Sequence, residues 1–564
     1  MASPNPRSLS MLAGSTCLLL AMLAADIAIA GPPEGEVEAP VEPEPPHPTS
    51  STVEIDAEEL RRLQQRLDAL EDEVADLRAN QAEQSAPQPP PPKLEPPEQP
   101  DEGKDEQGEP AGVTPVGAST DGQRPPDYAT GFHFGSYGRV VAGGDLRGRP
   151  GRDADIVARG SRWDEQTYAE LELRREDYWK ETGAYTRIVS TVAFAHPVFH
   201  YDTNFDAKLA IRNLYIEEQD LGLKGLSFWA GSRMYRGDDV YVLDWWPLDN
   251  LNTIGGGVGY QAKVGTFLKI HAGVMQPNSG FFRQLSPRLP AFDQPGEVAV
   301  AILDRQKLIT SYKLGHVFGF GESAGIKLIA YGETHHLRPG QREQDYREFE
   351  DVPPEHGFVA GGEVSLFSGK RSTHLNLWVR HAWNLAAYGD FNVPTQLGPD
   401  DTTKGARELI VALGGNYEVK FFGLMGGAYF RRFRNASPDL DYRDINEGII
   451  LLRPQFWIGK FAGVALEGSY QFQQRGVLSG IETGSSPQPL FASLGRVGVM
   501  PFLAIAGRGS YARPHIRAMY MLTVRDAGAR SLYPIDDVFN QRGLDHFLGL
   551  GAEWWFGSTS YFRD

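Results

Sequence analysis

The sequence predicts an all-β fold: an antiparallel transmembrane β-barrel of about 18 strands, preceded by a short coiled-coil helix between Pro-rich linkers. Three observations carry this. From Gly131 onward no apolar run approaches the ~20 residues of a membrane helix, and the mean hydropathy of the chain is −0.36. Stretches of period-two alternation recur through the same region, apolar or aromatic on one face and polar or charged on the other. The last of them, Gly551 to Phe556, reads G-A-E-W-W-F and closes on aromatics.

Residues 1–30 read as a secretory signal. Arg7 supplies the positive start, an apolar stretch runs from Met11 to about Ala25, and Ala28-Ile29-Ala30 precedes Gly31 as an A-x-A cleavage site between Ala30 and Gly31. The apolar stretch is short for a membrane anchor, and the chain turns Pro/Glu-rich directly after it. The single cysteine, Cys17, lies inside this segment. Cleavage would leave a mature chain with no disulfide, no thiolate metal site and no cysteine nucleophile.

The 564 residues carry a net charge of −18, very unevenly spread. Residues 31–130 hold 24 acidic and 7 basic side chains, whereas 131–564 hold 48 and 47. An acidic stalk thus precedes a neutral body, and nothing is basic enough to bind nucleic acid. Within the stalk, 31–50 and 83–130 are rich in Pro and Glu, a composition that buries too little apolar area to fold. Between them, over 51–82, Val53, Leu60, Leu63, Leu67, Leu70, Val74 and Leu77 make an a/d seam of about three and a half heptads. Self-association of this helix is expected in preference to docking on a globular surface. A seam so short needs an oligomer elsewhere to hold it.

The body, 131–556, is expected to be the barrel, with a short tail at 557–564. In 464–473, Val464, Leu466, Gly468, Tyr470 and Phe472 oppose Ala465, Glu467, Ser469, Gln471 and Gln473. In 168–174, Tyr168, Glu170, Glu172 and Arg174 oppose Ala169, Leu171 and Leu173; in 513–517, Arg513, His515 and Arg517 oppose Pro514 and Ile516. A soluble sandwich alternates in the same way. An aromatic-ended final strand behind a secretory signal favours the outer membrane, with Trp555 on the polar face and Trp554 and Phe556 on the greasy one. At roughly 24 residues per strand with its share of turns, this length makes about 18 strands, and a barrel of that size is expected to enclose a water-filled channel.

Several pieces occur in one order: G-S-Y-G-R at 135–139, Q-T-Y-A-E-L at 166–171, F-W-A-G-S-R-M-Y-R-G-D-D-V at 228–240 followed by Asp244 and Asp249, R-P-x-F at 453–456, R-P-H-I-R at 513–517, and the closing G-A-E-W-W-F. Together they resemble the maltoporin family of sugar-selective outer-membrane porins, and the coiled coil ahead of them resembles the sucrose porin branch. The resemblance implies an 18-stranded homotrimeric barrel with an inward-folded loop narrowing each pore. Linear oligosaccharides would pass along a path of aromatic rings flanked by charged groups. A pyranose has an apolar C–H face that a ring can receive, while arginines and carboxylates replace the water lost by its hydroxyls.

Carried over by position, the resemblance assigns the sugar-stacking aromatics to Tyr137, Tyr168, Phe205, Trp246, Trp457 and Trp555. It assigns the polar contacts to Arg139, Glu170, Arg212, Arg236, Asp244 and Asp249. Trp246 replaces the family's constriction tyrosine, and the family's arginine before that loop aligns with Gly237, one position from Arg236. Trp457 sits one position from the family's late-strand tryptophan.

Other features read more plainly. Aromatics are common in membrane barrels as interfacial girdles. Arg513 and Arg517 fit general pore lining. His196, His200 and Asp202 around Pro197, and His335-His336 beside Pro339-Gly340, read as loops, so no metal and no cofactor is expected. No nucleophile elbow or phosphate-cradling loop is present, and the chain is not expected to be an enzyme. The functions in play are diffusion of oligosaccharides; a tether between outer membrane and cell wall, with the barrel as anchor; and a porin for another solute. A basic constriction would mark an anion channel, and Asp244 with Asp249 speaks against one. The expected partners are oligosaccharides, outer-membrane lipid, two further copies of the chain and, through the stalk, the cell wall or a periplasmic sugar-binding protein.

Overall fold

The computed structural model describes residues 130–557, apart from 150, 165–166, 196–202, 204–207, 263–264, 292–294, 322, 369–372, 390–392, 439–442 and 477–488. The signal segment with Ala30 and Gly31, the coiled coil and its linkers, Phe205, the 196–202 histidines and the tail beyond Gly557 lie outside the described residues.

Eighteen strands make one antiparallel sheet that closes on itself. The first, β1 (Gly131–Gly144), pairs with β2 (Tyr168–Trp179) on one side and with the last, β22 (Leu544–Phe556), on the other, where Tyr137 stands opposite Trp555. Closure satisfies the backbone groups that an open edge would leave bare in lipid. The strands follow in chain order. Two hairpins stand outside the wall: β8 (Arg283–Arg288) with β9 (Val298–Asp304), and β12 (Gly340–Asp345) with β13 (Glu348–Val352).

Alternation sorts the side chains. On β19 (Ala462–Arg475), Ala465, Glu467, Gln471 and Gln473 are buried inward while Leu466 and Tyr470 are exposed outward. On β2, Leu171 and Leu173 face out, and on β22 so does Leu550. Connections at one end are tight, as at 180–183, 220–225 and 459–461; at the other they run long, as at 145–167, 237–249, 276–306 and 385–406. Short turns mark the periplasmic end of an outer-membrane barrel, and both the start of β1 and the end of β22 lie there. Phe132, Phe320 and Phe461 are exposed near that end. Toward the other end Phe430, Phe472 and Phe491 stack across the outer face of their strands, the second of two aromatic girdles.

Two sequence expectations are corrected. His335 and His336 are not in a loop but close β11 (Ala324–Leu337), where alternation turns His335 inward onto Glu333 (2.7 Å) and His336 outward beside His356 (3.1 Å). The interior, moreover, is not the open tube that the strand count suggests. Segment 151–164 folds in from the long-loop end and lies along the wall. The backbone N–H groups of Ile156, Ala158 and Arg159 donate to Gln471 (3.0 Å), Glu447 (3.3 Å) and Tyr429 (3.1 Å). Ser161 donates to Glu467 (2.5 Å), and Trp163 is fully buried against Ala465, Met500, Met519 and Met521. The inward polar row of β19 was therefore right in direction, but it faces this segment and not water.

Candidate functional site

The second inward segment, 237–249, makes the constriction. A backbone bond from Val240 N to Trp245 O (2.7 Å) ties it into a hook, with a 3₁₀ turn at Tyr241–Leu243 and Asp244 in the left-handed region (φ 47°). One side of the hook is apolar: Val240, Val242, Leu243, Trp245 and Leu248 are buried. They lie on a track of glycines on the inner wall. A Cβ on Gly427 would meet Val242 Cγ2 at 2.6 Å and Val240 Cγ1 at 2.7 Å, and one on Gly361 would meet Leu248 Cδ1 at 2.7 Å. Close packing of the hook thus requires bare backbone beneath it.

Both ends of the hook are pinned by buried lysines. Lys327 on β11 pairs with Asp238 at the entry, and Lys313 on β10 (Lys307–Phe320) pairs with Asp249 at the exit. Asp249 is 1% exposed. Of the two acids expected at the constriction, one is thus spent on anchoring the loop and only Asp244 meets the lumen.

On its other side the hook meets β1, where Arg139 pairs with Asp244. On β4 (Lys208–Gln219), Thr191 of β3 (Ala184–Ala195) pairs with Asn213 but Val192 pairs with Ile211, so Arg212 is the extra residue of a bulge. The bulge turns Arg212 inward beside Asn213, where it bonds Tyr168 and pairs with Glu170. Tyr168 donates to Glu170 (2.5 Å), and the Arg139 guanidinium lies 5.6 Å from the Tyr168 ring centre. Arg139 also reaches Asp244 (3.2 Å), and Arg162 of the first inward segment lies 3.6 Å from it. Burial disfavours the Asp244 charge, yet Arg162, Arg139 and Arg236 outweigh it and hold the carboxyl at about 2.

Trp246 lies half-buried at the hook's polar side, and Arg236 at the end of β5 (Leu226–Arg236) caps its ring at 3.9 Å while donating to Asn250 (2.7 Å). Trp246 also borders a 140 Å³ cavity shared with Arg159, Arg380, Arg431, Glu333 and Glu408. A 680 Å³ space toward the long loops meets it at Arg159.

The remaining expected residues are placed differently. Tyr137 faces inward but is 3% exposed, its hydroxyl bonded by Arg162 (2.6 Å) and Arg139 (3.0 Å). Trp555 is inward and partly buried, under Arg513 at 4.3 Å and edge-on to Tyr241. Trp457 is also inward but packed in the Trp163 cluster, and its indole N–H meets no acceptor among the described residues. Arg513 and Arg517 converge with Arg162 on the buried Glu553. The sequence reading missed Arg159, Arg162, Arg380, Glu408 and Arg431. Arg159 and Arg162 sit in a connection with no period, so no pattern pointed them inward. The other three lie on strands whose alternation turns them inward, but only closure brings them together with Trp246.

Comparison with known proteins agrees with this architecture. The LamB porin family model matches residues 132–556. Among curated proteins none matches the chain. Among solved structures, OccK10 (OpdN) of Pseudomonas aeruginosa aligns at 11% identity over 76% of this chain and 99% of its own, with a TM-score of 0.36. OccAB1 of Acinetobacter baumannii aligns at 8% identity over 75% and 96%, with a TM-score of 0.37. OmpT of Vibrio cholerae, in its trimer form, aligns at 12% identity over 76% and 100%, with a TM-score of 0.32. With an 18-stranded closed barrel, a loop-narrowed interior and a family match across the whole described body, the chain belongs to the LamB porin family and is a channel of the bacterial outer membrane, not an enzyme.

Proposed function

We propose that this channel carries oligosaccharides by facilitated diffusion, without chemical reaction or energy coupling. The observation that supports it most is the pairing of rings with fixed charges at the constriction. Tyr168, partly buried, stands with Arg212 and Glu170 on one wall, and Trp246 of the hook stands against Arg236 at the edge of the smaller cavity. A ring offers a surface to the C–H face of a sugar, and the flanking groups exchange hydrogen bonds with its hydroxyls. Contacts of this kind are individually weak, so a saccharide can move from one to the next. Sugar-dependent block of ion current through the full-length protein in a planar bilayer tests the reading. Normal ion flow with no block by any di- or trisaccharide would reject it.

As part of the same reading, the protein is a homotrimer and its stalk, 31–130, is periplasmic. There the stalk could reach the cell wall or a periplasmic sugar-binding protein. Cross-linking in mild detergent tests the trimer. Co-sedimentation with cell wall, lost on deleting 31–127, tests the tether.

A further inference from the structure

We infer that the saccharides this constriction takes are acidic, oligosaccharides whose rings carry carboxylates. The inference rests on the sugar-channel reading and names the substrate class of that site.

Its ground is the depth at which opposite charges sit. At three places on the inner wall a carboxylate lies behind the guanidiniums it pairs with. Glu408 has a side chain 1% exposed, whereas its partners Arg380 and Arg431, each 2.7 Å away, are 11% and 19% exposed. Glu170 is 3% exposed under an Arg212 that is 20% exposed. Glu217 is 3% exposed between Arg187 (13%) and Arg233 (11%). The acids hold the forks in place, and the forks meet whatever enters.

The spaces repeat the pattern. Among the described residues, the charged lining of the cavity beside Trp246 is Arg159, Arg380 and Arg431 with the buried Glu333 and Glu408. Among the described residues lining the larger space above, Arg159 is the one that carries charge. Other acids run the opposite way: Asp244 at 28% exposure, on which Arg139 and Arg162 close, Asp545 at 13% beside Arg525 at 0%, and Asp155 at 6% beside Arg496 at 1%. Asp249, which from the sequence opposed an anion channel, is buried on Lys313.

The hydroxyls of a neutral sugar donate as well as accept and so draw on both carboxylates and guanidiniums, whereas a carboxylate draws on donors alone. Here the acceptors are covered and planar donor forks are presented, the geometry that takes a carboxylate two bonds at a time. A ring with a carboxylate would lay its C–H face on Trp246 or Tyr168 and its charge on the neighbouring guanidinium.

The experiment compares block of ion current by trigalacturonate and by maltotriose, in full-length protein and in the variants Arg431→Gln and Arg159→Gln. The acidic trimer should block at a roughly ten-fold lower concentration, the scale of one charge-assisted contact. The margin should shrink as salt is raised and in each variant. Arg159 lies on a connection, so its variant keeps the test open should Arg431→Gln fail to assemble; ion current reports assembly in both. Maltotriose blocking at equal or lower concentration would overturn this inference and leave the sugar channel standing, as would a margin unchanged in both variants. Block by neither trimer would overturn both.

Discussion

Arg162 donates to the hydroxyl of Tyr137 across 2.6 Å, joining a connection that folds into the barrel to the first strand of its wall. The same guanidinium lies 3.2 Å from Glu553 and 3.6 Å from Asp244, so one loop side chain links β1, β22 and the constriction hook. Tyr137 is thereby a support for the inward segments, and the ring next to it, Tyr168 at 5.9 Å, is the less buried of the two.

A contrast between the two tyrosines follows. Tyr168→Ala should raise the half-blocking sugar concentration roughly ten-fold, the cost of one stacked ring with its flanking bonds. Tyr137→Phe keeps the ring and should leave block within about two-fold while lowering barrel stability by about 1 kcal/mol, the ordinary worth of a buried hydrogen bond. Current block and thermal unfolding in detergent read the two effects. Equal losses of block in both variants would mean that both rings contact sugar.

The glycine track predicts a wider pore on demand. Gly427→Leu places carbon where Val240 and Val242 now lie, and the hook must leave the wall. Single-channel conductance should rise. A Cβ at Gly468 meets nothing within 4 Å, so Gly468→Ala should leave conductance unchanged. Unaltered conductance in Gly427→Leu would show that the hook does not set the current.

Lys327 lies between Asp238 and Glu363, the latter at 3.2 Å, with all three side chains at most 1% exposed. Lys327→Met removes the ammonium that lies between two buried carboxylates. The expected loss is about 3–5 kcal/mol, the range for breaking a buried pair from one side, seen as a lower unfolding temperature of the barrel. An unchanged temperature would mean that water reaches the pair.

Asp244 allows a charge test without backbone strain, because Asn also tolerates the left-handed conformation. Asp244→Asn should shift the reversal potential in a salt gradient toward anion preference. Since the folded carboxyl is held at about 2, below its usual 3.8, its favourable interactions with Arg139 and Arg162 are fully present above pH 3.8. They fade only as pH falls through about 2. From pH 4 to 8 the native protein should therefore show no selectivity step that is missing from the variant. A step near pH 5 present only in the native protein would contradict the assignment.

Much of the architecture was legible before any coordinates. Two-residue periodicity reports which face of a strand meets lipid, because the pleat sends neighbours to opposite sides. It correctly turned Glu170, Gln471, Arg517 and Trp555 inward and Leu171, Leu466 and Phe556 outward. Length divided by strand spacing yielded the strand number, and ordered short motifs pointed to the family.

What periodicity cannot report is what lies against the inward face. Gln471 and Glu467 read as wet and are covered by 151–164; Asp249 read as a lumen acid and is paired with Lys313. The bulge at Arg212 breaks the alternation that would have sent it to the same side as the lipid-facing Leu214. These outcomes depend on contacts between residues far apart in the chain, made only when the wall closes and the loops find glycine and counter-charge inside it. Local spacing decided the wall of this protein, and only tertiary packing decided its bore.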